Sequence, residues 1–538
     1  MRGSGSRAHT RPTLNSRLSL GFFSFLLAAA ACTSPPREEQ PGRAPGLRAP
    51  STLRIGITPV GSLDPRDLES PESLLVAAQV FDGLVAYDPS TSTIRPAVAE
   101  RWNILDEGTR FVFHLRPGVT FHDGSPVSAS SFVSSWTRLA DPNGSAPFAF
   151  LLESVQGFQG FHTTRKARIF SGLSAPDPRT FEVRLTRPWR DFVALLGHPT
   201  LSPVPETADE PSFPALPVGN GPFRLSAAVQ PGDPVLLSRF DEYYGTRARV
   251  DSLEFRIHPT SEDAWPDFLA GELDVSEVPA SALVDAQAEF GSRGIVTLGR
   301  VLYCGFNQEV KRLRNQRLRT AVSLAIDREA LTRGVYGDVA DPARGIVPPT
   351  IAGYQDDACA GACTTDLERA TAIVGELPTG PRTFDLDFRD SPIGARLAVT
   401  LAERLGLVGL RVTPNAHEQD EFVQLFQRGE HEFYCLVWVA DFPRAQAFLE
   451  PLLLSTSPDN RTGFRDVRLD RLLNRARAAD DPATAEDLYR RAERRALEFM
   501  PLVPLAWFRS RLAVKPYVQG FALDPSGTFD AASLSIQP

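Results

Sequence analysis

The sequence predicts a multidomain α/β protein, and three observations carry that reading. At 538 residues the chain exceeds what one hydrophobic core ordinarily organises, so two or three domains are expected. Half-buried strand patterns alternate along it with amphipathic helical ones. Its 46 prolines and 39 glycines supply the turns and long connections such a fold needs.

The strand signals come first. Phe111, Phe113 and Leu115 alternate with Arg110, Val112, His114 and Arg116 before the turn at Pro117-Gly118. Phe181, Val183 and Leu185 repeat the pattern, as do Leu253, Phe255 and Ile257; period two is the signature of a strand with one buried face. Asp385 and Asp387 flank Leu386 in the same rhythm, which puts both on the wet face of a strand rather than in a catalytic pair. Ser128 is the expected N-cap of a helix carrying Phe132, Trp136 and Leu139, ended by Asp141-Pro142. Leu318, Val322 and Ala325 mark one face of a second helix, and Asp327 caps a third with Glu329 in its first turn. Leu469, Leu472, Leu473 and Ala476 share a face near the C-terminus, followed by Leu488, Ala492, Ala496 and Phe499 on another helix.

Composition narrows function. The chain is 42% hydrophobic and 23% charged with a net charge of -8, which argues against nucleic acid, whose readers carry a basic patch or stripe. Arg2, Arg7, Arg11 and Arg17 precede the apolar run Leu18 to Ala31, which is short for a bilayer span and has the length of a signal-peptide core. Residues 1–31 are therefore expected to direct export. Ala29-Ala30-Ala31-Cys32 resembles the bacterial lipobox, with Ala29 where the pattern prefers Leu; lipidation of Cys32 is expected, and ordinary cleavage after the alanines is the alternative. Residues 32–50 are rich in proline and read as a semi-rigid tether. An exported chain sits where disulfides persist. Cys359 and Cys363 lie in one loop and suit a local bridge, while Cys304 and Cys435 are either a pair across the fold or buried free thiols.

Catalytic signatures are missing. There is no nucleophile elbow, phosphate-binding loop, dinucleotide loop or H-E-x-x-H pair; His417-Glu418 and His431-Glu432 each lack a second histidine one turn on. No catalytic residue, metal site or cofactor is expected, and the chain reads as a binding protein rather than an enzyme.

Ordered blocks then point to a family. Phe81-Asp82-Gly83-Leu84, Arg95-Pro96-Ala97, Ala99-Glu100-Arg101-Trp102 and Phe113 to Gly124 resemble the opening of the extracellular solute-binding proteins of family 5, the peptide- and nickel-binding components of ABC importers. Val218 to Phe223, Gly271-Glu272-Leu273-Asp274, Phe306-Asn307, Leu318 to Arg328 and Met500 to Leu505 resemble its later blocks in the same order. The resemblance implies two α/β lobes with a ligand cleft between them: residues 51–85, 215–300 and 506–538 in the first lobe, 86–214 inserted into it, and 301–505 in the second. Trp438-Val439-Ala440-Asp441-Phe442-Pro443 resembles the family's W-x-x-D-Y-P, whose aspartate meets a ligand's α-ammonium in peptide-binding members. Asp441, Trp438 and Phe442 are thus the first candidate contacts, with Asn307 and Ser62 behind them. The competing role for Asp441 is capping a following helix through Phe448 and Leu449. Arg444 replaces a family aspartate and either favours a carboxylate-bearing ligand or is solvated.

The expected ligand is a peptide or peptide-like small solute. The partners implied are an ABC permease with its ATPase subunits and, through Cys32, a membrane; the protein is expected to act as a monomer in the periplasm or cell envelope. A nickel chelate, an oligosaccharide, a transporter-free sensory or scavenging role and a secreted hydrolase are the alternatives.

Overall fold

The computed structural model describes residues 51–537 apart from Ser90, Ser145, Asp338 and Thr379. The expected signal peptide (1–31), Cys32 and the tether (32–50) lie outside the described residues.

Two six-stranded sheets organise the chain. In the first, Thr52–Ile57 runs parallel to Ser252–Ile257 on one side and to Val275–Glu277 on the other, and antiparallel strands complete both edges. In the second, the long strand Thr297–Phe306 lies between Leu502–Arg509 and Phe433–Val439, both antiparallel to it. Beyond Phe433–Val439 come Thr383–Arg389 and Arg411–His417, paired parallel. Helices Pro392–Gly406 and Gln419–Arg428 make the crossovers between those strands, because parallel neighbours cannot be joined by a tight turn.

A smaller antiparallel sheet, Ala99–Leu105, Arg110–Leu115, Thr180–Arg184 and Leu173–Asp177, forms within the segment between the strands of the first large sheet. Its apolar face (Phe111, Phe113, Phe181) packs under Phe132 and Trp136 of the helix Ala129–Leu139. That core is continuous with the core of the second large sheet, while the first keeps a separate one.

The elements expected from periodicity are present where the sequence places them. Ser128 caps its helix with Ser131 in a capping box, and Asp327 accepts from the Ala330 amide at 3.0 Å. Asp466 and Asp481 cap Val467–Arg477 and Pro482–Phe499. One expectation fails: Asp387 is not on a wet face. It is buried, accepting from the Glu432 amide at 3.0 Å with the His417 ring nitrogen at 2.9 Å. The strand Thr383–Arg389 lies inside a parallel run with helices on both faces, where alternation no longer separates water from core.

Cys304 and Cys435 are bonded across the long strand and its neighbour, and Cys359 is bonded to Cys363 within its loop.

Candidate functional site

The site begins where Phe433–Val439 ends. Ala440 still donates its amide to Gly299 O at 2.9 Å, and Asp441 follows immediately, beyond the carboxyl end of a strand in a parallel run. That is where open α/β sheets place ligand-binding groups.

The register determines which backbone groups are left over. Trp438 faces Val301 and Val439 faces Arg300 across the antiparallel pair. Bonds to the long strand are made by the even-numbered partners, as Ala440 to Gly299 illustrates. The N–H and C=O groups of Val437 and Val439 therefore point to the opposite edge. The strand on that side, Thr383–Arg389, pairs only with Phe433 and Tyr434. Among the described residues, 437–439 thus present an unpaired strand edge, and Val437 and Val439 are 46% and 51% exposed.

Asp441 stands beside this edge without a hydrogen bond or ion pair to its carboxylate among the described residues. Protein crowds it on most sides, yet it keeps contact with water. Burial pushes its pKa up to about 7, with the Asp459 charge adding to the shift. It does not cap the next helix: Gln446–Leu453 has Ala445 at its N-cap and no side-chain bond there. The capping role is therefore excluded.

A small cavity opens at Asp441, walled by Ala440, Phe442 and Pro443 on one side and by Tyr87, Asp524, Pro525 and Ser526 on the other. The far wall belongs to distant parts of the chain. Tyr87 donates its hydroxyl to Ala194 O. Asp524 accepts from Ser526 and Thr528, backbone and side chain alike, and so shapes the loop whose Pro525 O takes the Gly299 amide at 2.7 Å. A wider recess adjoins the cavity, sharing Tyr87 and Asp524 with it.

The other candidates separate. Trp438 donates its indole N–H to Ala447 O at 2.7 Å, fixing the chain on either side of Asp441. Phe442 lines the cavity but is mostly buried, its ring 5.9 Å from that of Trp189. Asn307 lies at the far end of the long strand, spent on Gly429 O, His431 O and the Glu309 amide. Ser62 accepts from the Asp64 amide at 3.1 Å and does not line the cavity. Arg444 is half-buried and does not line the cavity; its Nη1 donates to Ser92 O at 3.2 Å and Pro443 O at 2.9 Å. Local sequence carried no signal for Tyr87, Asp524 or the free edge, since each depends on pairing between remote segments.

Among the described residues no group of three His, Cys, Asp or Glu side chains could hold a metal ion, and no helix is long and apolar enough to cross a membrane.

The description of bacterial extracellular solute-binding proteins, family 5, matches residues 93–460. The chain belongs to that family. It is 30% identical over 479 residues to the probable deoxycholate-binding periplasmic protein YgiS of Escherichia coli, covering 86% of this chain and 89% of that one. It is 28% identical over 534 residues to the periplasmic oligopeptide-binding protein OppA of Salmonella typhimurium, covering 95% and 96%. Among solved structures, the unliganded open form of the periplasmic murein tripeptide-binding protein MppA superposes with a TM-score of 0.78 at 24% identity, over 91% of this chain and 98% of that one. The fold is therefore that of the two-lobed periplasmic binding proteins, and the chain is a solute-binding protein of the ABC-import type.

Proposed function

We propose that the protein captures peptides, or solutes that carry a peptide-like ammonium and amide backbone, and hands them to a membrane permease driven by ATPase subunits. The observation that carries this reading is an unpaired carboxylate beside an unpaired strand edge. An extended peptide supplies what both lack: its α-ammonium forms a charge-assisted hydrogen bond with Asp441, and its backbone pairs with Val437 and Val439 as an added strand. Such pairing is independent of side chains, so selectivity rests with the ends of the ligand and the shape of the cavity.

Binding requires no covalent step. In this reading residues 51–85, 215–300 and 506–538, with 86–214 inserted, move against 301–505. The ligand stabilises the closed arrangement because it touches walls from both sides at once, and only that difference in affinity drives closure. The closed form is the one the permease accepts. Cys32, lipidated, holds the protein at the membrane as a monomer.

The experiment is thermal shift and calorimetry with a tripeptide and its N-acetylated form. A free-amine peptide that binds, with the acetylated one at least ten-fold weaker because the Asp441 charge is left unmet, supports the reading. Equal affinity for both would overturn it. A deoxycholate-like ligand, of the kind named for the E. coli relative, carries a carboxylate and no ammonium, so it would set like charge against Asp441. Tight binding of such a ligand with indifference to peptides would also overturn the reading.

A further inference from the structure

Two antiparallel neighbours whose residues do not line the cavity, Val467–Arg477 and Pro482–Phe499, face each other with arginine. On the first, Arg468, Arg471 and Arg475 fall three and four residues apart and share one face. On the second, Arg494 and Arg495 follow Arg491 by three and four residues. The six arginines line one open groove together with Leu472, with Glu498 as the single carboxylate in its lining. Arg491 is paired with Asp487 at 3.7 Å, Arg495 with Asp466 at 2.8 Å and Glu498 at 3.1 Å, and Arg494 with Gln355. The guanidiniums of Arg468, Arg471 and Arg475 have no hydrogen bond or ion pair among the described residues, and all three side chains are exposed. This groove is cationic on a molecule whose net charge is -8.

We propose that the groove is a docking surface for the phosphate headgroups of an anionic membrane, orienting the protein on the bilayer beside which it works. Guanidinium presents a planar fork of donors that matches phosphate oxygens two at a time, and it sheds water more readily than an ammonium. Basic groups near an anionic bilayer each add favourable attraction that fades within a Debye length. An acidic protein facing such a bilayer is otherwise repelled, so an arginine groove favours turning its own side toward it. The inference rests on the proposed anchor at Cys32 for its setting. It does not rest on the anchor for its chemistry.

The test uses the full chain and vesicles of phosphatidylcholine, alone or containing phosphatidylglycerol. Wild type is compared with Arg468→Gln/Arg471→Gln/Arg475→Gln and with Arg168→Gln/Arg224→Gln/Arg369→Gln, which removes the same charge from exposed sites elsewhere. Binding to neutral vesicles reports whatever the N-terminal segment contributes, and all three proteins share it. Wild type should bind the anionic vesicles more tightly than neutral ones at low salt. The groove variant should lose at least ten-fold of that excess and the scattered variant little of it. Equal loss in both variants, no loss in the groove variant, or no excess for anionic vesicles would overturn the proposal, leaving an acidic protein face as the remaining occupant. Unchanged circular dichroism of the groove variant guards against misfolding. Cys32→Ser, followed by lipid labelling in cells, tests the anchor separately, so failure of one is not read as failure of the other.

Discussion

The long strand Thr297–Phe306 and its neighbour Phe433–Val439 have two ends that differ in how their polar groups are used. At the Asn307 end, Asn307 donates to two carbonyls and accepts from the Glu309 amide, while Asp387 takes the Glu432 amide and the His417 ring. Glu432 in turn meets Arg312 and the Asp385 amide. At the other end, among the described residues, Asp441 has no such partner, and Val437 and Val439 face away from the long strand along an edge with no pairing strand. Buried polar groups are normally satisfied, so the contrast separates architecture from site. Asn307, Asp387 and Glu432 are satisfied within the chain, although Gln308 Nε2 and His431 Nδ1 beside them have no hydrogen-bond partner among the described residues; the Asp441 carboxylate at the other end is left open to a ligand.

Mutation should split the two ends by sign. Asp387→Ala strands the Glu432 amide and the His417 ring in the core, and a loss of about 3–5 kcal/mol is expected in denaturant unfolding, with peptide affinity unchanged in the protein that remains folded. Asn307→Ala removes three hydrogen bonds at the same end and should cost about 2–3 kcal/mol. A ligand role for Asn307 would instead appear as lost affinity at full stability.

The Asp441 end should respond in the opposite direction. Burial raises this carboxyl to about 7, whereas an unfolded aspartate titrates near 4. The folded chain therefore binds that proton more tightly than the unfolded one. Its contribution to stability is lowest above pH 7 and recovers as pH falls toward 4. Asp441→Asn abolishes the dependence: at pH 8 the unliganded variant should be more stable than wild type by about 1–2 kcal/mol, discounted for water in the cleft, with the gap closing by about pH 4. Melting curves across that range check it, and a variant less stable at pH 8 would show that Asp441 has a structural partner.

The smallest effect belongs to Trp438. Trp438→Phe keeps the ring but loses the 2.7 Å bond to Ala447 O. About 1 kcal/mol of stability and a few-fold of affinity should go with it, because the loop bearing Asp441 is then less tightly held. A large loss of affinity without loss of stability would instead make the indole itself a ligand wall.

Much of this contrast was legible before the fold was known, though unevenly. Strands such as Arg110–Leu115 and helices such as Ala129–Leu139 announce themselves because each has one wet face and one dry. Asp387 misleads for the converse reason: helices cover both faces of its strand, and the same period-two pattern then marks buried hydrogen bonding. Asp441 was found through a local block, W-x-x-D, that keeps its spacing in the chain. The free edge beside it was not, because an edge is defined by the strand that fails to continue there. Tyr87 and Asp524 stayed hidden too, being nearly the length of the chain apart and joined only by the cavity.

The most direct test of the account is the affinity of a free-amine tripeptide for wild type and Asp441→Asn, measured by calorimetry from pH 5 to pH 8. Below pH 7 the carboxyl takes up a proton and loses its attraction for the ammonium. Wild-type affinity should therefore fall by roughly ten-fold per pH unit there. The variant should be at least ten-fold weaker at pH 8 and nearly flat with pH. Equal affinities at pH 8, or the same pH profile in both proteins, would contradict the assignment of Asp441 as the ligand's anchor.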